Sequence, residues 1–191
     1  MTCEKHLYYF NKIEQIRRNM NAYSKEHQML VEYNDYLLNN APYSHLITLT
    51  YPPVLPYDEC KKMLTFFMTR LERKLFRKHQ KHGFLEGFII EERQDKSTNQ
   101  VHHHLIIKPH ANFSMTDKPS IESHFASLIR DFKHKSPNRA AVKFSPEKCD
   151  IRPVDDTKHL IPYLLKSYNY NSNFDFVTPI QKRNHQADST R

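Results

Sequence analysis

Seven residues, Val101-His102-His103-His104-Leu105-Ile106-Ile107, constrain this chain more than any others. Their apolar and β-branched content predicts a β-strand, on which successive side chains point to opposite faces. His102, His104 and Ile106 then share one face; Val101, His103, Leu105 and Ile107 share the other. Two imidazoles at i and i+2 on a rigid strand form half of a metal site, because neutral imidazole is the commonest metal ligand. The plainer alternative is a polar strand edge.

At 191 residues the chain is long enough for one domain with a real core and extensions. The formal net charge is +8, which favours a polyanionic partner, most simply nucleic acid. The two glycines are too few for a phosphate-cradling loop, so a Walker-type nucleotide site is excluded. Cys3, Cys60 and Cys149 are widely spaced, make no Cys-x-x-Cys pair and fit a reducing compartment. Without a signal peptide or an apolar run of membrane-spanning length, a cytoplasmic protein with no membrane partner is expected.

Residues 4–39 read as two helices, with Leu7, Phe10, Ile13, Ile16 and Met20, then Met29, Leu30, Tyr33 and Leu37, at near-helical spacing. Asn21 to Ser24 break them. An N-terminal helical arm (1–42) packed on the main domain is the simpler reading; an arm touching DNA through Arg17, Arg18 and Lys25 is the alternative. Asn39 to Pro42 end the arm. His45 to Tyr51 is a buried strand stopped by Pro52-Pro53. Residues 58–81 form an amphipathic helix with an apolar stripe of Leu64, Phe67, Met68, Leu71 and Leu75. Its basic side holds Arg70, Arg73 and Arg77, candidates for phosphate contact. Gly83 stops it.

Phe84 to Glu92 is a strand, Arg93 to Gln100 a polar turn, and the histidine strand returns beside it as an antiparallel hairpin. The hairpin can bring Glu91 or Glu92, but not both, to His102 and His104. A further helix follows Asp117 and Pro119 and runs to about His134. Short strands are expected at Ala140 to Phe144 and Cys149 to Val154. A last helix, capped by Asp155 or Asp156, carries Pro162, Tyr163 and Lys166; Tyr163 and Lys166 share a face, and Pro162 should kink it or delay its start. Residues 171–191 read as a tail with one docked segment near Phe174 to Ile180. The order of elements predicts an α+β fold: a mostly antiparallel sheet with flanking helices.

Taken in order, Leu46-Ile47-Thr48-Leu49-Thr50, His102-x-His104 and Tyr163-x-x-Lys166 make a series of three motifs. It resembles the rolling-circle replication initiators (Rep proteins, plasmid- or phage-type) of the HUH, or histidine–hydrophobe–histidine, endonuclease superfamily. The likeness covers residues 43–170, including Ile90-Glu91-Glu92-Arg93-Gln94 and Ile151-Arg152-Pro153-Val154. It implies a ferredoxin- or RRM-like nuclease core, with His102, His104 and Glu92 holding Mn²⁺ or Mg²⁺, Tyr163 as nucleophile and Lys166 as its helper. Glu92 matches the family position better than Glu91, because it heads the Glu-Arg-Gln run. The family usually places an apolar residue between the two histidines; here it is His103. Tyr168 and Tyr170 are badly spaced for a second nucleophile and read as core or stacking aromatics.

The implied activity is nicking and joining of single-stranded or hairpin origin DNA through a covalent 5′-phosphotyrosine, which starts rolling-circle replication. A phosphodiester needs a Lewis acid on its non-bridging oxygens. A free tyrosine titrates near about 10, so roughly one in a thousand is ionised at neutral pH, and a lysine ammonium favours the phenolate. The basic helix and surface aromatics would hold the strand. Many members of that family carry a helicase domain after the nuclease, for which this sequence is too short, so either a separate helicase is the expected partner or the protein is a reduced initiator. The competing readings are an HUH single-tyrosine transposase or small relaxase, and a non-catalytic nucleic-acid-binding module on a ferredoxin-like sheet. Lysine rather than glutamine three residues after Tyr163 leans toward an initiator.

Overall fold

The structure is a computed structural model and describes residues 3–20, 24–53, 55–76, 85–93, 101–113, 120–133, 143–166 and 176–180. The elements are α1 (Cys3–Arg18), α2 (Lys25–Asn39), β1 (His45–Thr50), α3 (Tyr57–Phe76), β2 (Gly87–Arg93), β3 (Val101–Ile107), α4 (Ile121–Asp131), β4 (Asp150–Pro153), α5 (Thr157–Leu164) and β5 (Val177–Pro179). The fold is α+β. One sheet in the order β4-β1-β3-β2-β5 has every neighbouring pair antiparallel. From β1 to β4 the chain runs β-α-β-β-α-β in the spatial order 4-1-3-2, the ferredoxin-like arrangement.

Both faces of the sheet are covered, so β1 and β3 are buried along most of their length instead of alternating between buried and exposed residues. One face carries Ile47, Leu49, Leu105 and Ile107 and packs under α3 and α4, whose stripes bring Met63, Phe67, Leu71, Phe125 and Ile129 to the same core. Both helices are crossovers in this sheet; the right-handed rule for such connections puts them on one side. The other face carries Leu46, Phe88, Ile90 and Ile106 and is roofed by α1, α2 and α5, through Ile13, Ile16, Leu30, Leu37, Leu160 and Leu164. The N-terminal arm therefore shares a core with the sheet. Arg17 is spent on intramolecular pairs with Glu14 and Asp35, linking α1 to α2.

Several boundaries differ from expectation. The long helix begins at Tyr57, and its residues beyond Phe76, including Arg77 and the Gly83 stop, lie outside the described residues. So do the turn after Arg93, Asp117, Pro119, residues 140–142, Tyr168, Tyr170 and most of the tail. Ser120 caps α4, its hydroxyl accepting from the Ser123 amide at 3.2 Å, and the helix ends at Asp131 rather than near His134. Asp156, not Asp155, caps α5. Pro162 lies within that short helix. The docked tail segment is β5, which pairs Val177 with Ile90 at the edge of β2.

Gly87 opens β2 at φ +151°, a backbone conformation that favours glycine. A Cβ there would stand 1.9 Å from the Ile106 carbonyl oxygen of β3, a backbone atom that cannot yield without breaking the ladder. Gly87→Ala should therefore cost on the order of 2–4 kcal/mol, read as a lowered urea midpoint at unchanged slope. A midpoint within error of the parent would contradict this account of the β2–β3 junction.

Candidate active site

The ladder assembles the site. Thr50, His102 and Glu92 are directly opposed across β1, β3 and β2, and Thr48, His104 and Ile90 form the next row. Opposed residues share a face, so Glu92, His102 and His104 project together toward α5 while Glu91 and His103 project toward α3. The two carboxylates are thus separated by the pleat, and Glu92 is the one on the His102 and His104 face.

Hydrogen bonds fix the chemistry of His102. The Thr50 hydroxyl donates its single proton to the Lys148 carbonyl at 2.9 Å. It can then only accept from His102 Nδ1, also at 2.9 Å. Nδ1 therefore carries the hydrogen and Nε2 keeps a lone pair. That Nε2 is buried and has no hydrogen-bond partner. Burial pushes the imidazole down to about 4; the Glu92 charge opposes this, while His104, Lys166 and Lys148 reinforce it. His102 is neutral at physiological pH, with an unused lone pair on its buried Nε2.

His104 is held from both sides: Nδ1 lies 3.1 Å from Thr48 Oγ1 and Nε2 lies 2.8 Å from Glu92 Oε2. The same Glu92 oxygen accepts from Lys166 Nζ at 3.0 Å. Burial alone would raise the Glu92 carboxyl, but His104 and Lys166 together outweigh it and hold it at about 2. It is a carboxylate throughout the physiological range. Lys166 Nζ in turn lies 4.1 Å from the centre of the Tyr163 ring. A continuous line of contacts runs from the sheet to the phenol: His104, Glu92, Lys166, Tyr163.

Asp156 positions that phenol. Its carboxylate caps α5 by accepting from the His159 amide at 3.2 Å, and it also pairs with the His159 ring at 2.6 Å. Leu160, Ile161 and Leu164 seat the helix on Ile90 and Ile106. Tyr163 is then half-buried beneath α1, with the His6 ring centre 4.9 Å and the Tyr9 ring centre 5.9 Å from its own. Sequence reasoning missed this role for α1. The signal was present as Tyr8-Tyr9 with Lys5, but its place over Tyr163 depends on how α1 docks.

Arg70 and Arg73, the candidates for phosphate contact, do not join the His102, His104 and Glu92 cluster. They lie on α3, which covers the opposite face of the sheet. Arg70 stacks on Phe66 at 4.4 Å, and Arg73 is exposed. Periodicity identified the basic side of the helix but could not say which sheet face that helix covers.

Two imidazoles and a carboxylate suit Mn²⁺, or Mg²⁺ with water completing its shell. The buried lone pair of His102 is the observation that fits a cation. Among the described residues no three His, Cys, Asp or Glu side chains already stand as a metal-holding group; the Glu92–His104 hydrogen bond joins two of the expected ligands directly. His104 can release its Nε2 because Thr48, with a rotatable hydroxyl, can accept the proton at Nδ1 instead. No protein-family model matches the chain, and neither a curated protein nor a solved structure matches it.

His102 also makes a pH prediction. Its imidazole titrates near 6.5 when unfolded and near about 4 when folded, so the unfolded chain binds the extra proton between those values. Stability is full above about 6.5 and falls as pH drops toward 4, by up to about 3 kcal/mol. His103, also lowered by burial, adds to the loss. Thermal melts in EDTA across this window should show it, and His102→Gln should flatten the slope in part. An unchanged slope would mean that His102 is not buried neutral.

Proposed function

We propose that the protein nicks and rejoins single-stranded or hairpin origin DNA by a metal-dependent transesterification at Tyr163, and so starts rolling-circle replication. The observation that carries this reading is the unpartnered lone pair of His102 beside the His104–Glu92–Lys166–Tyr163 line. His102, His104 and Glu92 would hold Mn²⁺ or Mg²⁺, which when bound supplies charge neutralisation at the non-bridging oxygens of the scissile phosphate. Thr48 and Thr50 orient the two imidazoles from behind. Lys166 would bring its charge to the scissile phosphate beside Tyr163, and Glu92 holds that ammonium in place. The Tyr163 Oη–P bond forms as the P–O3′ bond breaks. The phenol proton passes to solvent, and the departing 3′ oxygen takes one up from solvent, so the exchange is neutral in protons. The phosphotyrosine keeps the energy of the broken ester, so a 3′ hydroxyl can reverse the step without another energy source. Unwinding would fall to a separate helicase, in the cytoplasm of the host.

Incubation with a labelled single-stranded hairpin library and Mn²⁺ should give a covalent adduct that survives denaturation. Tyr163→Phe and EDTA should each abolish it. His102→Ala or His104→Ala should lower adduct formation by at least about 100-fold while leaving most DNA affinity intact. Salt-sensitive binding with no adduct under any metal would replace the enzyme with a nucleic-acid-binding module. Normal cutting by both histidine variants would remove the metal assignment.

Thr50→Val keeps the shape of the side chain but leaves His102 Nδ1–H without its acceptor. The free orientation of the ring should weaken Mn²⁺ binding by about 10- to 100-fold, measured by calorimetry. Unchanged affinity would show that Thr50 does not orient the imidazole.

A further inference from the structure

The cluster of His103, Tyr51, Glu91 and Tyr57 is mutually satisfied, with His103 Nδ1 2.8 Å from the Tyr51 hydroxyl and Tyr57 donating to Glu91 at 2.6 Å. Cys60 and Cys149 are free, and burial pushes their thiols up to about 12 and about 11, so neither is a reactive thiolate.

The space between α1 and α5 is different. It is an open cavity of about 310 Å³ lined by Lys5, Tyr8, Tyr9, Tyr163 and Lys166. Its lining is two ammonium groups and three phenol rings. Lys166 is tied to Glu92, but Lys5 is exposed. Tyr8 is 63% exposed, although its ring meets Tyr9 edge to face at 5.1 Å. An exposed aromatic braced by a second ring is a ready stacking platform, whereas core packing would have hidden it. Lysines around aromatic rings match the two parts of a nucleotide, phosphate and base. The volume lies at the small end of the roughly 300–1,000 Å³ range of ligand pockets, enough for one nucleotide and too little for a duplex.

We propose that this cavity is a subsite for one nucleotide of single-stranded DNA next to the scissile phosphate, with the base on Tyr8 and its phosphate at Lys5. The inference rests on the nicking reading for the identity of its ligand. It makes α1 part of the substrate site: Tyr9 and His6 hold the Tyr163 ring, and Tyr8 and Lys5 hold the strand that the ring attacks. Duplex DNA, with its bases stacked internally, would not use Tyr8.

The test measures binding without cleavage: fluorescence anisotropy with labelled dT12, and with an abasic 12-mer of equal charge, both in EDTA. Tyr8→Ala should weaken dT12 binding about 5- to 100-fold and leave the abasic strand unaffected, and Tyr8→Phe should restore it. Lys5→Ala should weaken both strands and lower the log affinity–log salt slope by about 0.7. Exposed side chains make misfolding no explanation, and circular dichroism checks this. If Tyr8→Ala and Lys5→Ala both bind dT12 like the parent, the subsite is overturned, whatever the hairpin assay shows. If they lose binding as stated but the parent never forms a Tyr163 adduct, the subsite stands and the nicking reading falls.

Discussion

The Glu92 carboxylate is the interaction on which the rest of the site depends. One of its oxygens accepts from His104 on β3 and from Lys166 just after α5, so a single buried anion ties the sheet to the segment that carries the phenol. A buried charge is costly unless it is paired and hydrogen-bonded. Here two partners hold it ionised. Without Glu92, Lys166 would lose its anchor and His104 its second contact, and the line from sheet to Tyr163 would be cut in the middle.

The sheet's second face shows why three histidines in a row are tolerated. The pleat sends His103 the opposite way from its neighbours, into the core under α3, where it is 2% exposed. Tyr51 satisfies one nitrogen, and Glu91 lies 3.6 Å from the other. Burial lowers this imidazole as it lowers His102, but Glu91 opposes the shift. His103 is therefore a satisfied core residue. His102 keeps an unused lone pair because Thr50 spends its only proton on a backbone carbonyl. Adjacent residues of one type thus acquire different chemistry from the faces they occupy.

The helical arm changes meaning in the same way. Among the described residues, α1 and α2 contribute Ile13, Ile16, Leu30, Val31 and Leu37 to the core that also holds the apolar residues of α5. The face of the sheet that bears the site is therefore roofed by residues from both ends of the described chain. The roof leaves an opening where Lys5, Tyr8 and Tyr9 meet Tyr163 and Lys166. The basic side of α3 lies across the sheet from this opening.

Much was legible in the residues themselves, because the information was local. Period-two and period-3.6 patterns defined the strands and helices, their order defined the α+β class, and alternation put His102 and His104 on one face and split Glu91 from Glu92. The i, i+3 spacing joined Tyr163 to Lys166. What only the tertiary structure decided was longer in range. It matched Glu92 with His102 through the β2–β3 register, set Thr48 and Thr50 behind the imidazoles through the β1–β3 register, and put α3 and its arginines on the far face. It also docked α1 over the phenol. Side-chain periodicity is a property of each segment alone, whereas register, crossover side and docking depend on contacts between residues far apart in the chain, and no single segment encodes them.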